Sequence, residues 1–274
     1  MASNMILGSA DWNLWPIGTD YEITFPEFKK AGISNLELGI YQPSTELSPE
    51  NCTRISRLAE IHKIEITAAL FSLTPDKWPH GAFSNTNSSF LRECAYFFES
   101  LQRMGVKYAN IWTGADLPNA NQKEVQYTLR ELNELAKSYS GVVSIEYKAD
   151  TVFPDGHTLA NQLSGLSHIK VLVDTGHAFA LEEDAVKLIQ DLDSRNLLGA
   201  LHLGDAMAGD SDADLPCGRV HDFSEILKTL TEIEFAGTAN FDLYGAAVDE
   251  LGPGPHNILN ESVKHISKTM QEIS

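Results

Sequence analysis

Four apolar runs in the second half of the chain end in groups that could bind a hard metal ion or move a proton. V-V-S-I-E-Y-K (142 to 148) closes on Glu146 and Lys148, and the run 169 to 177 closes on Asp174 and His177. The run 197 to 205 closes on His202 and Asp205 and leads into Asp210, Asp212 and Asp214, while T-A-N-F-D-L-Y-G (238 to 245) carries Asp242. Carboxylates with one or two imidazoles suit Mg2+ or Mn2+ better than they suit a metal that prefers thiolates. Glu146 and Lys148 are two positions apart, and side chains at i and i+2 of a strand share a face. Taken alone, such an acid and base form a structural ion pair near a strand end; the neighbouring runs decide whether they do more.

Those runs belong to a regular alternation. Eight β-rich segments, M-I-L-G-S-A, N-L-E-L-G-I, E-I-T-A-A-L-F, Y-A-N-I-W-T-G and the four above, are separated by amphipathic stretches. In 88 to 105, Leu91, Cys94, Ala95, Phe98 and Leu101 recur with the period of a one-faced helix, and 121 to 139 behaves likewise. Gly32 and Gly105 stand where a C-terminal glycine belongs, and Ser48 with Pro49 opens another helix. Eight strands and eight helices at about 34 residues per unit, with no linker rich in Pro, Gly or Ser, predict an α/β fold: a single (β/α)8 TIM barrel over residues 1–274. A doubly wound open sheet is the competitor, but no G-x-G-x-x-G follows an early strand.

In a barrel the C-terminal strand ends form one mouth, which would gather the polar groups. Glu146, Asp174, Asp210, Asp212 and Asp242 would then share one pocket. At about 4 Å and an effective dielectric near 20, each like-charged contact costs about 4 kcal/mol. Two divalent ions together with Lys148 would balance them. Two readings of the acidic run stand side by side, a metal-binding loop and a solvated one. His177 or His202 alone reads as a core histidine; beside carboxylates at strand ends, each reads as a ligand. The other seven histidines lie on helices or loops without convergent acids.

Composition narrows the partners. Twenty Lys and Arg against 38 Asp and Glu give a net charge of −18, a field that repels nucleic acid and anionic membranes. No apolar run is long enough to span a bilayer and the N-terminus lacks a signal pattern. The three cysteines, Cys52, Cys94 and Cys217, are widely spaced and odd in number, which reads as reduced thiols in a cytoplasmic protein.

On the blocks I-E-Y-K (145 to 148), V-D-T-G-H (173 to 177), H-L-G-D with the later Asp210 and Asp212, and Asp242, the chain resembles the xylose-isomerase-like superfamily, most closely the L-rhamnose isomerase pattern. The resemblance covers residues 142 to 245. It implies a first metal held by Glu146, Asp174, His202 and Asp242, and a second held by His177, Asp210 and Asp212 with Asp174 shared. It also implies a cytoplasmic sugar isomerase of carbohydrate metabolism. Such an enzyme interconverts aldose and ketose by moving hydrogen between C1 and C2, with two Mn2+ or Mg2+ ions per chain, or Co2+ or Zn2+ in their place. Glu146, Lys148, Asp210 and Asp242 would serve catalysis, with Lys148 hydrogen-bonding the sugar carbonyl. His177, Trp112, Phe71 and Trp12 would contact substrate, and Trp78 is a further candidate for the apolar wall. The implied assembly is a homo-oligomer, a dimer or tetramer, with no nucleic-acid or membrane partner. The alternative in the same superfamily is a one-metal ketose 3-epimerase, or a lyase acting on a keto-inositol or an oxo-sugar acid. There Glu146 and Asp242 would be the acid/base pair, and Lys148, Asp210 and Asp212 would have no task. An endonuclease IV-type nuclease would need a basic groove, which the charge disfavours, and a catalytically dead sugar-binding barrel would not keep Glu146 and Lys148.

Overall fold

The computed structural model describes residues 4–84, 89–249 and 254–273. Eight parallel strands, β1 (Ile6–Ala10), β2 (Asn35–Ile40), β3 (Glu65–Ser72), β4 (Tyr108–Trp112), β5 (Val142–Glu146), β6 (Ile169–Asp174), β7 (Leu198–Leu203) and β8 (Thr238–Phe241), close into a barrel in chain order. Each occupies one of the eight segments expected from sequence. Every strand is followed by an outer helix: Tyr21–Lys30, Pro49–His62, Ser89–Met104, Gln122–Ala136, Gly156–Gln162, Ala185–Ser194, Ser224–Glu232 and Gly254–Ile273. The fold is a (β/α)8 barrel.

The helix ends follow local chemistry. Ser48 Oγ accepts from Asn51 N, Asn121 Oδ1 accepts from Lys123 N, and Asp155 Oδ1 accepts from Thr158 N, each satisfying a donor that the first helical turn leaves unpaired. Gly105 closes Ser89–Met104 at φ +76°, a backbone that costs a side-chain-bearing residue energy. The buried stripe of that helix is Phe90, Cys94, Phe97, Phe98 and Leu101. It is rotated from the expected one: Ala95 is exposed and Phe97 takes the inward place, because an aromatic ring gains more from burial than a methyl group.

Additional short helical turns lie in the connections after strand ends: a 3-10 turn Asp11–Ile17 and helices Pro43–Glu46, Thr175–Ala180 and Tyr244–Asp249. They carry residues over the barrel mouth. Large apolar side chains such as Phe25, Phe28, Phe97 and Leu129 fill the space between sheet and helices. The barrel interior differs, for buried Glu37, Asn110, His202 and Asn240 form a polar layer there. Gly8 has no side chain because a Cβ would collide with Asn240 Oδ1 and meet the Asn35 carbonyl oxygen at 2.8 Å.

Candidate metal centre

Strand register sets the site. Trp112 pairs with Glu146 across β4 and β5, and Asp174 pairs with His202 across β6 and β7, so these side chains reach the mouth at neighbouring positions. His202 Nδ1 is central, lying 3.3 Å from Asp242 Oδ2, 3.5 Å from Glu146 Oε2 and 3.9 Å from Asp174 Oδ2. One ligand atom from each of Asp174, His202 and Asp242 falls within 4.8 Å of the others, as do atoms from Glu146, Asp174 and His177.

Each group is held with one atom free. Asp174 caps the helix Thr175–Ala180, its Oδ1 accepting from Gly176 N at 2.7 Å and His177 N at 3.1 Å, which leaves Oδ2 to the centre. Trp12 Nε1 donates to Asp242 Oδ1 at 2.8 Å, which leaves Oδ2. His202 Nε2 donates to Glu37 Oε2 at 2.9 Å, so Nδ1 carries the lone pair. Glu37 in turn accepts from Asn110 and Asn240 at 2.7 and 2.8 Å. His177 Nδ1 donates to the Tyr147 carbonyl at 2.8 Å, which frees Nε2. An outer carboxylate or carbonyl that fixes an imidazole in this way is a usual feature of metal-bound histidine.

Glu146 Oε2 and His202 Nδ1 are buried with no hydrogen-bond partner, and leaving buried polar atoms unpaired is costly. A cation among three carboxylate oxygens and one imidazole nitrogen would satisfy both, and that donor set fits Mg2+, Mn2+, Co2+ or Zn2+. The electrostatics agree. Burial, reinforced by Asp174 and Asp242, pushes the Glu146 carboxyl well above its usual pKa. Burial opposes a charge on His202 as well, but Glu37 and Glu146 outweigh it and raise the imidazole pKa. These acids want a positive charge between them.

Sequence and geometry part in four places. Lys148 lies beyond the strand, which ends at Glu146, so the expected shared strand face does not exist. Tyr147 between them is fully buried, and Lys148 Nζ crosses the mouth to hydrogen-bond Asp212 Oδ1. Burial opposes its charge, but Asp212 and Glu146 hold the lysine pKa above its ordinary value. Asp210 is exposed and Asp212 is 81% exposed; neither joins the converging cluster, because a turn at Gly209 (φ +81°) carries them over the rim. Phe71 is not a pocket residue. Leu70 and Ser72 face the pocket, so alternation along the strand turns Phe71 outward onto Trp78, Phe90 and Phe97. Asp205 also leaves the mouth, gathering Val220 N, His221 N and His221 Nδ1 to fasten the loop base.

Trp12 and Trp112 do line the pocket, a cavity of about 220 Å3 over the converging carboxylates and imidazoles, with Lys148, His177 and Asp242. Two residues to which the sequence assigned no role also belong to the site, Glu37 behind His202 and Asp214 at the edge of the pocket. Glu37 is legible in hindsight as a carboxylate between two leucines inside an apolar strand. Asp214 borders the pocket, where its Oδ2 accepts from Gly245 N at 2.9 Å. Burial, together with Asp242 and Asp174, pushes its carboxyl well above the usual range. The signal was the apolar L-P-C that follows it and draws this end of the acidic run inward, Leu215 bridging to Asp205.

The family model described as "Xylose isomerase-like TIM barrel" matches residues 25–269. The chain belongs to the xylose isomerase-like TIM-barrel family. Comparison with curated protein sequences finds no match. Among solved structures, this family member resembles D-allulose 3-epimerase from Methylomonas sp. with TM-score 0.76 and 13% identity, over 98% of this chain and 99% of that one. It resembles the E. coli 3-keto-D-glucoside 4-epimerase YcjR with TM-score 0.75 and 17% identity, over 96% and 99% of the two chains. The IolI protein with a bound zinc atom aligns with TM-score 0.75 and 16% identity, over 98% and 99%. At these identities the likeness establishes the shared fold.

Proposed function

We propose that this barrel is a divalent-metal-dependent epimerase of keto sugars, working at a one-metal site. The observation that carries the reading is that, among the described residues, the ligand groups Asp174, His202 and Asp242 and Glu146, Asp174 and His177 share Asp174 and surround the orphaned buried atoms Glu146 Oε2 and His202 Nδ1, with Asp210 and Asp212 standing outside them. The epimerase and zinc-binding neighbours of the same fold support it. A bound divalent ion would supply Lewis-acid polarisation of a substrate carbonyl.

The chain's residues supply the proton chemistry. Glu146 takes the proton from the carbon beside the carbonyl, and the Lys148 ammonium donates a hydrogen bond to the oxygen on which charge develops. Asp214, whose carboxyl burial pushes above its usual range, returns a proton to the other face of that carbon. One C–H bond breaks and another forms, with inverted configuration and no redox change. Trp12 and Trp112 exclude water from one side. This arrangement revises the acid/base pair from Glu146 with Asp242 to Glu146 with Asp214, because Trp12 holds Asp242 Oδ1 and the other Asp242 oxygen is committed to the ligand group.

The two-metal aldose–ketose isomerase is the second reading, favoured by one observation: Asp212 lines the pocket together with Lys148 and His177. Turnover of a panel of ketoses in D2O with Mn2+ separates the two. Epimerase chemistry places solvent deuterium on the inverted carbon, and Asp214→Asn should retain exchange from the Glu146 face while losing inversion. Aldose formation without deuterium uptake, with two ions per chain, would replace the epimerase by the isomerase.

A further inference from the structure

A second cavity adjoins the metal pocket. Its volume is about 360 Å3, and it shares Trp15, Gly39 and Tyr41 with the pocket of about 220 Å3 over the metal ligands. None of the reactive groups reaches it, and the proposed chemistry leaves it unused. Its position is set by Gly39 near the end of β2, where an added Cβ would meet Trp12 Cε3 at 3.0 Å and Trp15 Cζ2 at 3.2 Å. The missing side chain lets the two indoles stand side by side against the strand. Trp15 also packs on Tyr41, with ring centroids 5.8 Å apart, and on Tyr244 at 6.2 Å. Its ring is thus fixed from two sides in a continuous aromatic wall running from one cavity to the other.

We propose that the second cavity is a sugar subsite and that the natural substrate is a neutral glycoside, its reacting ring over the metal ligands and a second ring beyond Trp15 and Tyr41. The proposal rests on the keto-sugar reading of the central pocket. Aromatic faces suit the C–H faces of a pyranose, whereas its hydroxyls need donors and acceptors in small numbers at fixed places. The cavity provides both, with the Thr19 hydroxyl, the Asn51 amide, the Glu46 carboxylate and the Arg54 guanidinium at its edge.

Charge selects against a phosphorylated sugar. Arg54 Nη2 is already paired with Asp20 Oδ1 at 2.8 Å and lies 3.9 Å from Glu22 Oε1. Glu46 is fixed by the Tyr41 and Gln42 backbone N–H groups, and buried Asp11 lies behind Gly39, accepting from its N–H. A phosphate placed here would meet carboxylates, and among the described lining residues the one cation, Arg54, is already paired, which favours an uncharged occupant.

The test is calorimetric titration of the Mn2+-loaded protein with hexoses and with disaccharides containing them, among them glucose with maltose and cellobiose, galactose with lactose and melibiose, and fructose with sucrose. At least one disaccharide should bind about 10-fold or more tighter than its own hexose, while glucose 6-phosphate and fructose 6-phosphate should gain nothing. Thr19→Trp fills the cavity from an exposed position. It should abolish the disaccharide gain and leave hexose affinity within about twofold, a change worth less than half a kcal/mol; Asn51→Trp on the neighbouring helix should do the same. No gain for any disaccharide, a gain that survives both variants, or preferred binding of the phosphates would overturn the subsite. Deuterium exchange into free ketoses is read in parallel. Exchange without a disaccharide gain removes only the subsite, whereas a blocked gain without exchange removes only the epimerase chemistry.

Discussion

Glu37 Oε2 lies 2.9 Å from His202 Nε2 deep inside the barrel, and this contact fixes which imidazole nitrogen faces the three carboxylates above. Both side chains are fully buried, so water cannot substitute for either partner. Replacing Glu37 by Gln keeps the size but removes the charge that holds the Nε2 proton. Metal affinity is expected to fall by about 10- to 100-fold, the usual cost of losing an outer partner of a metal ligand. Competition with a fluorescent chelator measures it, and unchanged affinity would detach Glu37 from the site.

Asp174 and Asp210 should behave oppositely. Asp174→Asn removes charge from the converging cluster and should abolish stoichiometric Mn2+ binding after dialysis. Asp210→Asn touches an exposed side chain, so one ion per chain should remain and stability should move by no more than about 0.5 kcal/mol. Metal analysis and thermal melts of the two variants decide the point. Loss of an ion in Asp210→Asn would restore the two-metal scheme.

Lys148→Met keeps the stem that passes Trp112, whose ring centroid lies 5.8 Å from the ammonium, and removes the charge. Metal content should persist. Turnover should fall by roughly 10²-fold or more, the scale for losing one preorganised donor, and normal turnover would leave Lys148 with only its bridge to Asp212.

Asp11 provides a pH signature away from the metal ligands. Burial pushes its pKa up to about 7, although the Gly39 N–H and the Tyr21 hydroxyl oppose the rise. A carboxyl with a raised folded pKa binds more protons folded than unfolded. The contribution of Asp11 to stability should therefore be full below the unfolded value of about 4 and be lost as pH rises through 7, by up to about 4 kcal/mol. Asp11→Asn cannot ionise, so its denaturation midpoint should lack this decline and exceed that of the wild type at pH 8. Parallel pH profiles would refute the assignment.

Much of the fold was legible because its signals are local. Strand segments such as N-L-E-L-G-I and V-V-S-I-E carry their own β preference, and the period of Leu91, Cys94, Phe98 and Leu101 marks a helix without reference to anything distant. The convergence of Glu146, Asp174, His202 and Asp242 was legible for a related reason. In a closed parallel barrel the inward-facing residue at each strand's C-terminal end reaches the mouth, so place in the chain and strand phase together nearly fix place in space.

What the sequence determined by itself was therefore the barrel and the residue types at its strand ends. Tertiary structure alone decided which neighbouring acids join them. Asp210, Asp212 and Asp214 sit in one run of alternating acids, and nothing local separates them. Asp214 turns inward because Leu215 bridges to Asp205 and Gly245 N donates to its carboxylate, while Asp212 is drawn to Lys148 from β5's loop and Asp210 stays in water. Glu37 likewise gains its meaning only from His202, 165 residues away. Loop direction and burial arise from contacts between distant segments, and a carboxylate's role follows from whether water, a cation or a histidine is its partner.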